Sequence, residues 1–147
     1  MVKRLSYRSD LQSIYSQNMH GIKTYVGLCE VHGSSWARDA FAVCGQETWR
    51  CGAELHEREG YTFVGIGPAQ QIGRGVSISL SRRAASAWER ENCEKHDDVG
   101  SRLLAVRLTV RCGHRGKQYH RMMSIFLISG YAPTSGHAAA EHDATTW

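Results

Sequence analysis

A chain of 147 residues with 41% hydrophobic and 22% charged side chains is long enough to bury a core and short enough to be a single ordinary domain. Its formal charge of +4 suits a polyanionic partner without requiring one, and no Lys/Arg run is dense enough to be a nucleic-acid patch by itself. No apolar run approaches membrane-spanning length, residues 1–6 lack the apolar stretch of a secretory signal, and the odd, widely spaced set Cys29, Cys44, Cys51, Cys93 and Cys112 argues for reduced thiols, so an intracellular protein is expected.

Residues 11–17 read as the first strand, closed by Gly21. Residues 25–36 are ambiguous, because Gly27, Val31, Gly33, Ser34 and Ser35 are weak helix formers. The apolar run Phe41-Ala42-Val43-Cys44, after charged Arg38 and Asp39, predicts a buried strand over 40–46 that ends abruptly in Gln46-Glu47-Thr48. Residues 61–66 and 76–80 are expected to pair antiparallel around a Gly-rich turn, and Val76, Ile78 and Leu80 alternate with Ser77 and Ser79 as in a half-buried strand. Ser81 is a candidate N-cap for a helix over 82–90, with Arg82 and Arg83 solvating its start. Residues 91–100 read as a polar loop, and 101–110 as a strand with Leu104, Val106, Leu108 and Val110 on one face. After a turn at 113–118, the nearly continuous apolar run 122–131 predicts a long central strand covered on both faces, its β-branched and aromatic content favouring strand over helix. Residues 136–144 can start a helix after Pro133. Strands dominate, which favours an α/β sheet or sandwich over a doubly wound parallel sheet; the residues alone support mixed α and β and no finer class.

Three of these strands end in polar residues that can face a common site: Asn18 in Ile14-Tyr15-Ser16-Gln17-Asn18-Met19-His20-Gly21, Glu47 in Gln46-Glu47-Thr48, and Tyr131 in Ile128-Ser129-Gly130-Tyr131-Ala132-Pro133. Open sheets hold ligands at strand C-termini, and a carboxylate fixed there can hold a divalent cation. Taken singly, each has a plain alternative: Glu47 begins a solvated loop, Asn18 makes ordinary turn chemistry, Tyr131 packs at a strand end. In this order they resemble the endonuclease/exonuclease/phosphatase superfamily, and more narrowly the endonuclease-like domains of non-LTR retrotransposons. The resemblance also takes in Gly60-Tyr61-Thr62-Phe63-Val64, Gly73-Arg74-Gly75-Val76, Leu80-Ser81-Arg82-Arg83-Ala84 and Arg102-Leu103-Leu104-Ala105-Val106-Arg107-Leu108, and runs from about residue 11 to 134.

The resemblance implies an α/β fold, the N-terminal half of a four-layered α/β sandwich, over residues 11–147 after a short extension at 1–10. It implies Mg²⁺- or Mn²⁺-dependent hydrolysis of a phosphodiester, with DNA as the expected partner. Glu47 resembles the metal-binding glutamate, Asn18 the asparagine that positions it, and Tyr131 the tyrosine whose hydroxyl contacts the scissile phosphate. The chain departs from the pattern downstream. The family's Asp-x-Asn pair and late Asp-His pair are missing; only Gly136-His137-Ala138 and Glu141-His142-Asp143 follow the last strand, too close to it, and with His142-Asp143 in reversed order. Weak metal binding, little or no hydrolysis, and self-association through an uncovered sheet are therefore expected. The rival class is a non-enzymatic basic module that binds nucleic acid or protein.

Other motifs are weaker. Cys93-Glu94-Lys95-His96 and Cys112-Gly113-His114 have zinc-ligand residue types at looser spacing than zinc sites use. Gly65-Ile66-Gly67 follows a strand but lacks the third glycine of a dinucleotide loop. Cys44, inside an apolar strand, reads as an inert buried thiol.

Overall fold

The computed structural model describes residues 13–22, 25–33, 40–58, 60–69, 75–97, 101–113 and 120–132. In chain order these form β1 (Ile14–Asn18), α1 (Tyr25–Gly33), β2 (Ala42–Gln46), β3 (Gly52–Arg58), β4 (Tyr61–Gly67), β5 (Val76–Ser81), α2 (Arg82–Glu89), β6 (Lys95–Asp97), β7 (Leu103–Gly113) and β8 (His120–Gly130). The fold is mixed α/β. A five-stranded sheet has the order β1-β2-β5-β4-β3, and a three-stranded sheet the order β6-β7-β8. β1 pairs parallel with β2 and the remaining pairings are antiparallel.

The alternation read from the sequence decides how the layers stack. Val76, Ile78 and Leu80 of β5 turn towards the second sheet and meet Leu104, Val106, Leu108 and Val110 of β7 and Leu127 of β8 in one apolar cluster. α2 contributes Ala84, Ala85, Ala87 and Trp88 to the same cluster. Its first turn is fixed by Ser81, in extended backbone, whose hydroxyl accepts from the Ala84 amide at 3.4 Å. Near its C-terminus the Trp88 indole donates to the Glu94 carbonyl beyond the helix at 2.8 Å. The opposite face of the five-stranded sheet carries a second cluster of Met19, Ile22, Ala40, Val43 and Phe63, with Val31 of α1 packed on it. There His32 sits 2.9 Å from the Ser79 hydroxyl and stacks on Tyr61. These contacts explain why 25–33 is helical despite its glycines: packing overrides weak propensity.

Several expectations need correction. The segment after Cys51, unassigned from sequence, is strand β3, paired along its whole length with β4. The polar loop expected at 91–100 contains the short strand β6. The apolar strand expected to be central and covered on both faces is instead an edge among the described residues, bonded only to β7, with Met122, Phe126 and Ile128 exposed on its outer side. A near-continuous apolar run marks what a strand can bury, and here one face is open. The expected helix at 136–144 and the residues His137, His142 and Asp143 lie outside the described residues. No helix among the described residues is long and apolar enough to cross a membrane.

Candidate functional site

The parallel register of β1 and β2 places Asn18 directly beside Gln46, so the two strands end together and Glu47 follows at once. The turns beyond them are clamped to each other. The Met19 amide donates to the Gln46 carbonyl and the Gly21 amide to the Glu47 carbonyl, both at 2.8 Å. His20, Glu47 and Trp49 all hold left-handed backbone angles, with φ of 45°, 52° and 55°. Non-glycine residues rarely adopt such angles and need surrounding structure to hold them there. That structure is visible. The Trp49 ring lies over Gly21, where a Cβ would come within 2.7 Å of it, and the Thr48 amide donates to the Gly75 carbonyl at 3.2 Å. Thr48 itself is buried. Asn18 caps its own turn, its side-chain oxygen accepting from the His20 amide at 3.0 Å.

The second sheet joins this end through β8. The buried Ser129 hydroxyl donates to the Gly45 carbonyl at 3.1 Å, and the Gln46 amide reaches Ser16 Oγ at 3.1 Å and Ser129 Oγ at 3.5 Å. Two residues on, the Tyr131 amide donates to the Arg102 carbonyl at 2.8 Å, and its half-buried ring packs on the main core. Asn18 and Glu47 therefore lie at adjoining strand ends, and Tyr131 follows the β8 residue Ser129 that is bonded to Gly45.

Glu47 is half-buried, and its carbonyl, not its carboxylate, is committed to the turn. Among the described residues no three His, Cys, Asp or Glu side chains group as a metal cage. The one carboxylate at this end, Glu47, is of the oxygen-donor type that a hard cation keeping most of its waters takes, and no thiolate–imidazole set suited to zinc groups among the described residues. The looser Cys93/His96/Cys112 set does not assemble among the described residues, and His114 lies outside them. Arg50, three residues beyond Glu47, pairs through Nε with Glu54 and lies 5.7 Å over the Phe63 ring, with its Nη1 buried and unpartnered. Cys44 is a buried thiol whose pKa desolvation raises to about 11, as an inert core cysteine requires.

Gln46, Ser129 and Arg50 were not singled out from sequence. Ser129 did leave a signal, as a hydroxyl interrupting the apolar run of β8. Gln46 showed only as the first residue of the polar triplet and Arg50 left no signal, since their partners are set by sheet register and by β3. No family model matches the chain, and neither does any curated protein or solved structure.

Proposed function

We infer that these residues form part of an endonuclease/exonuclease/phosphatase-type domain, the N-terminal part of a four-layered α/β sandwich. Its ancestral chemistry is divalent-metal-dependent hydrolysis of a phosphodiester, most naturally in DNA. The observation that supports the reading is the adjoining ends of β1 and β2, which set Asn18 beside Gln46 and Glu47, with Ser129 of β8, two residues before Tyr131, bonded to Gly45. In this reading Glu47 holds Mg²⁺ or Mn²⁺, Asn18 braces the turn that presents it, and the Tyr131 hydroxyl donates to a phosphate oxygen. The bound ion would polarise the phosphoryl oxygen and lower the charge cost of attack. In this reading the chain's own residues bind and orient, and among the described residues none is assigned the deprotonation of the attacking water.

That division predicts binding without turnover. General-base assistance is worth about 10²–10⁴ in rate, and each lost transition-state donor costs about 10²–10³ more. Mn²⁺ relaxation titration should show weak binding that Glu47→Gln abolishes, since the amide keeps the shape but not the charge. Supercoiled plasmid with Mg²⁺ should remain unnicked by the wild-type chain. Equal Mn²⁺ binding by both proteins refutes the metal assignment, and nicking that Glu47→Gln abolishes refutes the division.

A further inference from the structure

Sheet register builds a charged hollow beside α2, at the Leu80 end of β5, whereas Glu47 follows the strand position paired with Val76 at its other end. Glu57 of β3 pairs with Thr62 of β4, and Thr62 with Leu80 of β5. Directly paired residues share a face, so Glu57 and Thr62 stand on the same side as Leu80, the side on which α2 packs. β3 is an edge strand among the described residues, and Glu57 stays exposed beyond the helix. Opposite it, α2 presents Arg82, Ser86 and Glu89 at i, i+4 and i+7, all exposed. These residues, with Gly60 of the turn between β3 and β4, line a hollow of about 310 Å³.

The polar groups of this hollow are uncompensated. The side chains of Glu57, Thr62, Arg82 and Glu89 make no hydrogen bond or ion pair with any described residue. Thr62 is only 8% exposed, so its hydroxyl gives up most of its water and gains no protein partner. Both helix charges also stand at the unfavourable end: Arg82 in the first turn and Glu89 in the last oppose a helix dipole that favours anions at the start and cations at the finish. Two carboxylates lining one hollow with no cation between them repel. Each of these features is unfavourable to the fold by itself, and each is relieved by a ligand of complementary chemistry.

We infer that this hollow binds a long zwitterion, a basic amino acid whose side-chain cation lies between Glu57 and Glu89 and whose carboxylate lies on Arg82. Guanidinium forks match carboxylates, and carboxylates take ammonium or guanidinium groups through charge-assisted hydrogen bonds. Arg82 and Glu89 are about 10 Å apart along the helix axis, a span that one extended lysine or arginine bridges once both side chains reach inwards. The Thr62 hydroxyl on the floor accepts from the α-ammonium group. The volume lies at the small end of the usual range for ligand pockets, about 300–1,000 Å³, as a single amino acid requires. A free amino acid and the C-terminal residue of a peptide offer the same chemistry. The inference owes nothing to the metal or to phosphodiester hydrolysis at Glu47.

Heteronuclear NMR titration of the full chain with L-lysine and with L-arginine tests this. Saturable shifts should centre on the Gly60, Thr62 and Ser86 amides and leave the Met19 and Gly21 amides beside Glu47 unmoved. E57Q/E89Q should weaken both ligands at least about tenfold, because each neutralised carboxylate loses a charge-assisted hydrogen bond. R82Q should lower lysine affinity to that of cadaverine, which lacks the carboxylate, and leave cadaverine binding unchanged. Glu57, Arg82 and Glu89 are exposed, so neither variant should lower the thermal transition. Absence of saturable shifts with either amino acid, or unchanged affinity in E57Q/E89Q, would overturn the site. Cadaverine binding to wild type as tightly as lysine would overturn the zwitterion assignment. A Gly-Gly-Lys tripeptide forms the second arm: binding at least as tight as lysine assigns the hollow to a chain terminus, and weaker binding assigns it to the free amino acid.

Discussion

Gly67 shows how tightly the residues around Glu47 are held. A Cβ there would sit 1.7 Å from the Arg50 carbonyl oxygen, a backbone atom that cannot step aside. Gly67→Ala is therefore expected to destabilise the fold by about 1–3 kcal/mol or more, read as a lower urea midpoint with unchanged slope. Thiol chemistry gives a second test at this scale. With its pKa pushed to about 11 and its side chain buried, Cys44 should resist alkylation in the native state at mildly alkaline pH, whereas exposed Cys51 and Cys93 should react quickly. Rapid native-state labelling of Cys44, located by peptide mapping, would contradict its buried position. The end of β2 and the burial of Cys44 were legible in the sequence because both belong to one abrupt switch from apolar to polar residues. The link from Gln46 to Ser129 was not, because it joins residues 83 apart through the packing of two sheets.

Among the elements, the three-stranded sheet carries its own electrostatic clasp. Glu91, just after α2, accepts from the Thr109 and Ser124 hydroxyls and pairs with Arg107, while Glu94 meets His96 and Arg107. Hydrogen bonds from Thr109 and Ser124 hold the Glu91 pKa below its ordinary 4.5, and His96 does the same for Glu94. Groups with depressed folded-state values stabilise the fold above the unfolded pKa, and that stability is lost as pH falls through the folded one. The melting temperature should therefore drop below about pH 4.5 in wild type and drop less in E91Q/E94Q; parallel profiles would show the clasp to be idle. Both residues are solvent-accessible, so the difference should shrink in high salt. Ser81→Ala should cost about 1 kcal/mol by removing the cap of α2. That helix was legible from its cap at Ser81. α1 and β6 were not, since α1 depends on what Val31 and His32 pack against and β6 is three residues held by pairing with β7.

At the scale of the whole molecule, β8 forms an edge of its sheet among the described residues. The Tyr131 amide bonds towards β7, so alternation turns the backbone groups of 122, 124, 126, 128 and 130 towards that edge. Residues 122–130 carry no charge, proline or glycine-marked bulge of the kind that usually blunts an edge. Concentration-dependent association is expected in sedimentation velocity, and Ile128→Lys, which puts a charge on that edge, should shift the protein towards monomer. A wild-type monomer at every concentration would refute β8 as an association edge. The mixed α/β class and the shared core face of β5 and β7 could be read from periodicity. The two-sheet arrangement could not, because periodicity says which face is buried and not against which strand.

β1 has a further consequence. Every residue of this five-residue strand is exposed, and among the described residues it is bonded on one side only, to β2. It should be the first unit to open when amide protons exchange with deuterium, well below the free energy of global unfolding. Asn18 rides on that strand, and the Met19 and Gly21 amides report its attachment to the Glu47 turn. A ligand that needs both sides of the turn would slow exchange at Met19 and Gly21 in proportion to its occupancy, while leaving the β5–β7 core unchanged. Exchange mass spectrometry of that single strand would then register occupancy of the Glu47 end even for a chain that turns over no substrate.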